Sequence, residues 1–126
     1  MSTADALVYV AGAMVVLWGL AHIAPTKTVA DSFGDISVDN RRILVMEWIA
    51  EGMTHIANGV LVILVAAVEG SAGSTAHLVY RVVAGFLIAL AVLTTFTGAR
   101  TPQIWFKACP FVLTVAAGFL LSAGAL

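Results

Sequence analysis

Four long stretches of the chain carry no charged residue, and they are separated by short polar segments. They span residues 6–26, 52–68, 82–99 and 108–126. Crossing about 30 Å of hydrocarbon takes roughly 20 helical residues, so the second stretch spans only if it extends back through Glu51 and Glu47. None of the stretches alternates with the period of two that barrel strands show. The pattern predicts an all-α, four-transmembrane-helix bundle in one domain, residues 1–126, with helices at about 4–23, 40–68, 78–98 and 104–124.

The composition supports lipid as the main solvent of this chain. Apolar residues make up 61% of it and charged residues 10%, whereas soluble domains have roughly 45–50% and about 25%. The lipid bilayer is therefore the first expected partner. A net charge of −1 gives no basic excess for nucleic acid, and a single cysteine, Cys109, excludes an internal disulfide.

The basic residues predict an orientation. Five of the six lie in two segments on one side of the predicted bundle, 24–42 and 99–107. Because such loops stay in the cytoplasm, we expect loop 24–42 to be cytoplasmic and both termini to be extracytoplasmic. Asp31, Asp35 and Asp39 give that loop a solvated, partly helical character.

The second span carries a polar stripe. At 100° per residue, five polar side chains fall within about 100° of arc: Glu47, Glu51, Thr54, His55 and Asn58. A rise of ~1.5 Å per residue places Glu51 and His55 near the bilayer centre. Ionisable groups at that depth face protein or water and mark a functional site by default. The alternative is that they only hold the helices together.

The first span supplies further candidates. Trp18 and His22 lie four residues apart and share a helix face. The rise per residue places His22 level with Glu47 or Glu51, so that a contact with Glu47 is geometrically feasible, and about 10 Å from His55 along the bundle. Trp105, Phe106 and Lys107 form an interfacial anchor pattern before the fourth span.

Two short sequences recur at the same offset of 33. GLAHIA at 19–24 returns as GMTHIA at 52–57, and AGFL at 84–87 returns at 117–120. Equal offsets hint at duplicated or inverted hairpins. The small residues Gly85, Ala89, Ala117 and Gly118 predict a close approach of the last two spans.

Several chemistries are open to the polar cluster. Glu51 and His55 can act as an acid–base pair, the assignment we favour, with Glu47, Asn58, Thr54, Trp18 and His22 as ligand-binding residues. A relay of protons, a haem held by His55, or a divalent metal is also possible in principle. The expected depth difference argues against a haem held by both histidines, and no metal ligand set is assigned.

The chain resembles small bacterial four-helix membrane proteins. The matching segments are WGLAHIAPT and SVDNRRILVMEWIAEG together with the four-span plan, which is similar in size to that of DoxX-like proteins. The resemblance implies a multi-pass protein of the bacterial inner membrane and no defined activity. We expect a polar pocket that binds a small apolar or amphipathic molecule, with isomerase-type acid–base chemistry as one option. The alternative is a non-catalytic accessory or assembly subunit of a membrane complex, and a second copy of the chain in a homo-oligomer is a further candidate partner.

Overall fold

A computed structural model describes all 126 residues, and it is helical without strands. Four long helices are joined by short connections. In chain order the helices are α1 (Thr3–Ile23), α2 (Thr26–Ser32), α3 (Val38–Glu69), α4 (Ser74–Phe96) and α5 (Ile104–Ala123), with a 3-10 turn at Gly98–Arg100. The predicted all-α four-helix bundle is confirmed, and the predicted boundaries differ by at most four residues.

The ends of the long helices follow from local chemistry. Ser2 and Asp5 form a capping box at the start of α1, and the Ser37 hydroxyl accepts a hydrogen bond from the Asn40 N–H at the start of α3. Helix α3 ends at Gly70, whose φ of 73° is a conformation that glycine adopts without steric cost. The two serine caps satisfy backbone N–H groups that would otherwise be unpaired.

The polar segment after α1 contains the extra helix α2. Asp31 accepts a hydrogen bond from Lys27, one turn earlier, and another from Arg41 of α3. Hydrogen bonding to Lys27, followed by the charges of Lys27 and Arg41, holds the pKa of the exposed Asp31 carboxyl below its usual range. One carboxylate thus ties α2 to the start of α3.

Each long helix contributes a heptad-spaced row to the core. Successive members of each row are three or four residues apart: Val8, Ala11 and Val15 in α1; Gly52, His55, Gly59, Val62 and Ala66 in α3; Ala76, Tyr80, Val83, Leu87 and Ala91 in α4; and Cys109, Leu113, Ala116, Leu120 and Ala123 in α5. His55 is the one ionisable side chain among the fully buried residues of α3.

The closest helix approach is between α1 and α3. A Cβ atom at Gly19 would lie 2.6 Å from the Gly52 carbonyl oxygen, and one at Gly59 would lie 2.6 Å from the Gly12 carbonyl oxygen. The two backbones touch because neither helix has side chains there. The prediction that Gly85 and Gly118 bring the last two spans together is wrong, since a Cβ at either position would meet no atom within 4 Å. Those two glycines face away from the helix contact.

The four long helices fit a multi-pass membrane protein. Each is long and apolar enough to cross a membrane. Large apolar side chains cover the outside of the bundle, among them Leu17, Leu64 and Phe111, which are 65%, 56% and 72% exposed. A soluble monomer rarely shows apolar patches of this extent, whereas a lipid-facing surface requires them.

Candidate functional site

The two histidines of the repeated GxxHIA sequence meet between α1 and α3. The ring centroids of His22 and His55 are 6.1 Å apart, and the rings are nearly perpendicular. The difference in depth of about 10 Å that we expected along the bundle overestimates the distance between the two rings. Helical side chains lean toward the N-terminus of their own helix, and α1 and α3 run in opposite directions. The two side chains therefore lean toward each other, and backbone depth alone does not argue against a shared ligand.

Glu51 faces both histidines. One carboxylate oxygen lies 3.5 Å from His22 Nε2 and the other lies 3.9 Å from His55 Nε2. The His22 side chain is 8% exposed, that of His55 is fully buried, and that of Glu51 is 38% exposed. The contact of His22 with Glu47 that the sequence suggested is replaced by this contact with Glu51, one helical turn deeper.

None of these three groups is held by a short hydrogen bond to another. Charge-assisted N–H···O bonds measure about 2.7–2.9 Å, and the two distances to Glu51 are longer. His22 Nε2 and both ring nitrogens of His55 are buried without a hydrogen-bond partner. Buried polar groups in proteins nearly always have a hydrogen-bond partner. The three ring nitrogens are therefore exceptions, because no other group of the protein forms a hydrogen bond with them.

Trp48 fixes the position of the His22 ring. The two rings stack with centroids 4.0 Å apart and an interplanar angle of 16°. The Trp48 indole N–H also donates a hydrogen bond of 2.7 Å to the His22 carbonyl oxygen. Phe106 meets the Trp48 ring edge to face, with centroids 5.5 Å apart. Trp48 was not selected from the sequence, because it lies beside the polar stripe rather than in it.

A cavity of about 660 Å³ opens at this end of the bundle. All four long helices line it: it contains all three tryptophans of the chain, and its polar side chains come from His22, Glu51, Thr94 and Thr97. The lining residues are Trp18, Ala21, His22, Ala24, Pro25, Trp48, Glu51, Leu93, Thr94, Thr97, Gly98, Trp105, Phe106 and Cys109. Its volume lies within the range of about 300–1,000 Å³ that is usual for small-molecule sites.

The structure brings together only part of the predicted site. Trp18, His22 and Glu51 line the cavity, and His55 lies directly behind Glu51. Glu47 and Thr54 are exposed and Asn58 is half-buried, and none of the three lines the cavity.

The stripe on α3 is too wide to face one cavity. The Thr54 hydroxyl donates to the Ala50 carbonyl, and the Asn58 amide donates to the Thr54 carbonyl, so both bond to their own helix. Ile56 and Ile63 pack against the glycines of α1, and at 100° per residue the stripe occupies the opposite flank of α3. Only the edge of the stripe nearest the core, Glu51 and His55, reaches the site.

No group of three or more His, Cys, Asp and Glu side chains is arranged to hold a metal ion. No family model, curated protein or solved structure matches the chain.

Proposed function

We propose that this protein binds a small apolar or amphipathic molecule in the cavity at the Trp-rich end of its bundle. The observation that carries the proposal is a cavity with aromatic walls and one ionisable cluster, Glu51 with His22 and His55. Ligand sites in proteins combine these features: predominantly apolar walls and a few polar groups that fix orientation. A carboxylate at membrane depth is costly, and such residues usually mark functional sites.

Acid–base chemistry of the isomerase type is a second candidate for the same site. Glu51 is the one member of the cluster with substantial exposure, so it can reach a bound molecule. His22 and His55 stand next to it as groups that can exchange a proton with a carboxylate. A binding role and a catalytic role therefore differ in whether Glu51 must accept a proton. A haem Soret band in the purified protein would favour the cofactor alternative instead.

The test of binding uses the tryptophans as reporters. Because all three line the cavity, a molecule bound there should quench most of the tryptophan emission. We expect 4-bromophenol, a single-ring quencher with one hydroxyl group, to give a saturable component above the linear quenching caused by its partition into maltoside micelles.

Thr94 and Thr95 supply a matched pair of variants for this measurement. Thr94 lines the cavity and Thr95 does not. Thr94→Phe should fill the space and weaken saturable quenching at least tenfold, while Thr95→Phe should leave it within about twofold of the native value. Saturable quenching that survives Thr94→Phe unchanged would place the probe elsewhere and contradict the proposal.

The proposed orientation places the cavity at the cytoplasmic end. Lys27, Arg41, Arg42, Arg100 and Lys107 all lie at the end of the bundle formed by the C-termini of α1 and α4 and the N-termini of α3 and α5, and loops rich in such residues stay inside. In a bacterial host, alkaline phosphatase fused after Leu126 should be active, because that enzyme requires export. A well-expressed but inactive fusion, paired with an active fusion at Gly34, would reverse the orientation.

A further inference from the structure

Glu51 is an intramembrane carboxylate without a fixed cationic partner. Its ion-pair contacts within 4 Å are to His22 and His55, and no lysine or arginine is among them. The two histidine contacts are too long for charge-assisted hydrogen bonds, and the facing nitrogens have no partner. Four of the five basic residues at this end of the bundle have other partners: Lys27 and Arg41 pair with Asp31, Arg42 pairs with Asp39, and Arg100 lies over the Phe96 ring at 5.5 Å. The fifth, Lys107, does not line the cavity.

The walls around that carboxylate are aromatic. Trp18, Trp48, Trp105 and Phe106 all line the cavity that Glu51 faces. The face of an aromatic ring carries a partial negative charge and attracts cations, tryptophan most strongly. Glu51 supplies a negative charge to a space of about 660 Å³ whose other walls are largely aromatic, and such walls favour a positively charged occupant.

The hydrogen-bonding groups of the cavity restrict the type of cation. A primary ammonium presents three N–H donors and needs as many acceptors close together, whereas the polar side chains of the cavity, His22, Glu51, Thr94 and Thr97, are four among fourteen lining residues and come from three separate parts of the bundle. The Thr97 hydroxyl already donates to the Leu93 carbonyl oxygen. A quaternary ammonium has no N–H to satisfy and spreads its charge over apolar groups, which suits aromatic walls.

We propose that the cavity selects lipophilic organic cations of the quaternary ammonium type, with Glu51 as the counter-charge and the tryptophans as the walls. This inference rests on the proposed binding function and specifies its ligand class. It predicts that, of two ligands with the same shape, the positively charged one binds to the cavity more tightly than the neutral one.

Two isosteric probes test the inference on the native protein. Benzyltrimethylammonium and neopentylbenzene have the same shape and differ by one positive charge. Each is used to displace 4-bromophenol in the quenching measurement, in non-ionic maltoside micelles, with concentrations corrected for partition into the micelle. We expect the cation to bind at least tenfold more tightly than the neutral compound. Equal affinities would overturn the inference and leave the pocket itself intact, whereas absence of saturable 4-bromophenol quenching would overturn the proposed function.

Two carboxylates on α3 provide the variant and its control. Glu51 lines the cavity, and Glu47, one turn earlier, is exposed outside it. Glu51→Gln conserves volume and should abolish the preference for the cation while neopentylbenzene still binds. Glu47→Gln should keep the full preference. A preference that persists in Glu51→Gln, or that disappears in Glu47→Gln, would contradict the assignment of Glu51 as the counter-charge.

Discussion

Replacing His55 by leucine should stabilise the protein, although His55 is fully buried in the bundle. Both ring nitrogens of His55 lack hydrogen-bond partners, and a buried unsatisfied polar group costs about 1–3 kcal/mol. Leucine has a similar volume and no polar atom, so it removes that cost and keeps the packing. We expect a gain of roughly 1–3 kcal/mol in the free energy of unfolding, measured as a higher melting temperature in detergent.

The alanine variant at the same position separates the polar effect from the packing effect. His55→Ala removes the same two nitrogens but leaves a void between α1 and α3, and large-to-small changes in a packed core cost about 2–5 kcal/mol. It should therefore be less stable than His55→Leu by several kcal/mol. If His55 is instead a stabilising link between the helices, leucine should destabilise the bundle as alanine does. A gain in stability with leucine would mean that the imidazole is kept at an energetic cost, which is common for functional residues.

Replacing Gly19 by alanine should be among the most damaging single-methyl changes in the chain. The new Cβ atom would lie 2.6 Å from the Gly52 carbonyl oxygen and 2.7 Å from a side-chain carbon of Ile56. The first of these atoms is backbone, so α1 and α3 must move apart to make room. Overpacking a tight contact costs about 1–3 kcal/mol, and we expect a loss at the upper end of that range in thermal unfolding.

Gly85 provides the control for this change. It lies within α4, and a Cβ there would meet no atom within 4 Å. Gly85→Ala should be neutral or stabilising by up to about 1 kcal/mol, because alanine is the better helix former. Equal losses for Gly19→Ala and Gly85→Ala would show that the close contact between α1 and α3 does not hold the bundle together.

The fold could be predicted from the sequence because a membrane-spanning helix is recognised by a continuous apolar stretch of sufficient length, which is a local property of the chain. The charge-free stretches located all four long helices. The sequence did not reveal which glycines bring helices together. In the sequence, Gly85 and Gly118 look as suitable for a helix contact as Gly19 and Gly52. They differ in the direction that each helix turns them, toward a neighbouring helix for Gly19 and Gly52 and away from one for Gly85 and Gly118.

The ionisable residues at the centre of the site could be predicted from the sequence, whereas most of the residues that surround them could not. Glu51 and His55 were recognisable because ionisable residues are rare at membrane depth, and His22 followed from its place on α1. Thr54 and Asn58 fell in the same 100° of arc, but their hydrogen bonds run to their own helix. Trp48, Trp105 and Phe106 complete the cavity through contacts between residues from distant parts of the chain. Sequence periodicity contains no information about such contacts.

The offset of 33 between the two GxxHIA segments has an evolutionary consequence. It pairs His22 with His55 and Gly19 with Gly52, and it makes Trp18 the counterpart of Glu51. Two identical ancestral segments in antiparallel contact would present either two acids or two indoles to the paired imidazoles. The present chain has one of each, and both line the cavity. The difference at this single pair of positions gives the otherwise symmetric contact between α1 and α3 an acidic side and an aromatic side.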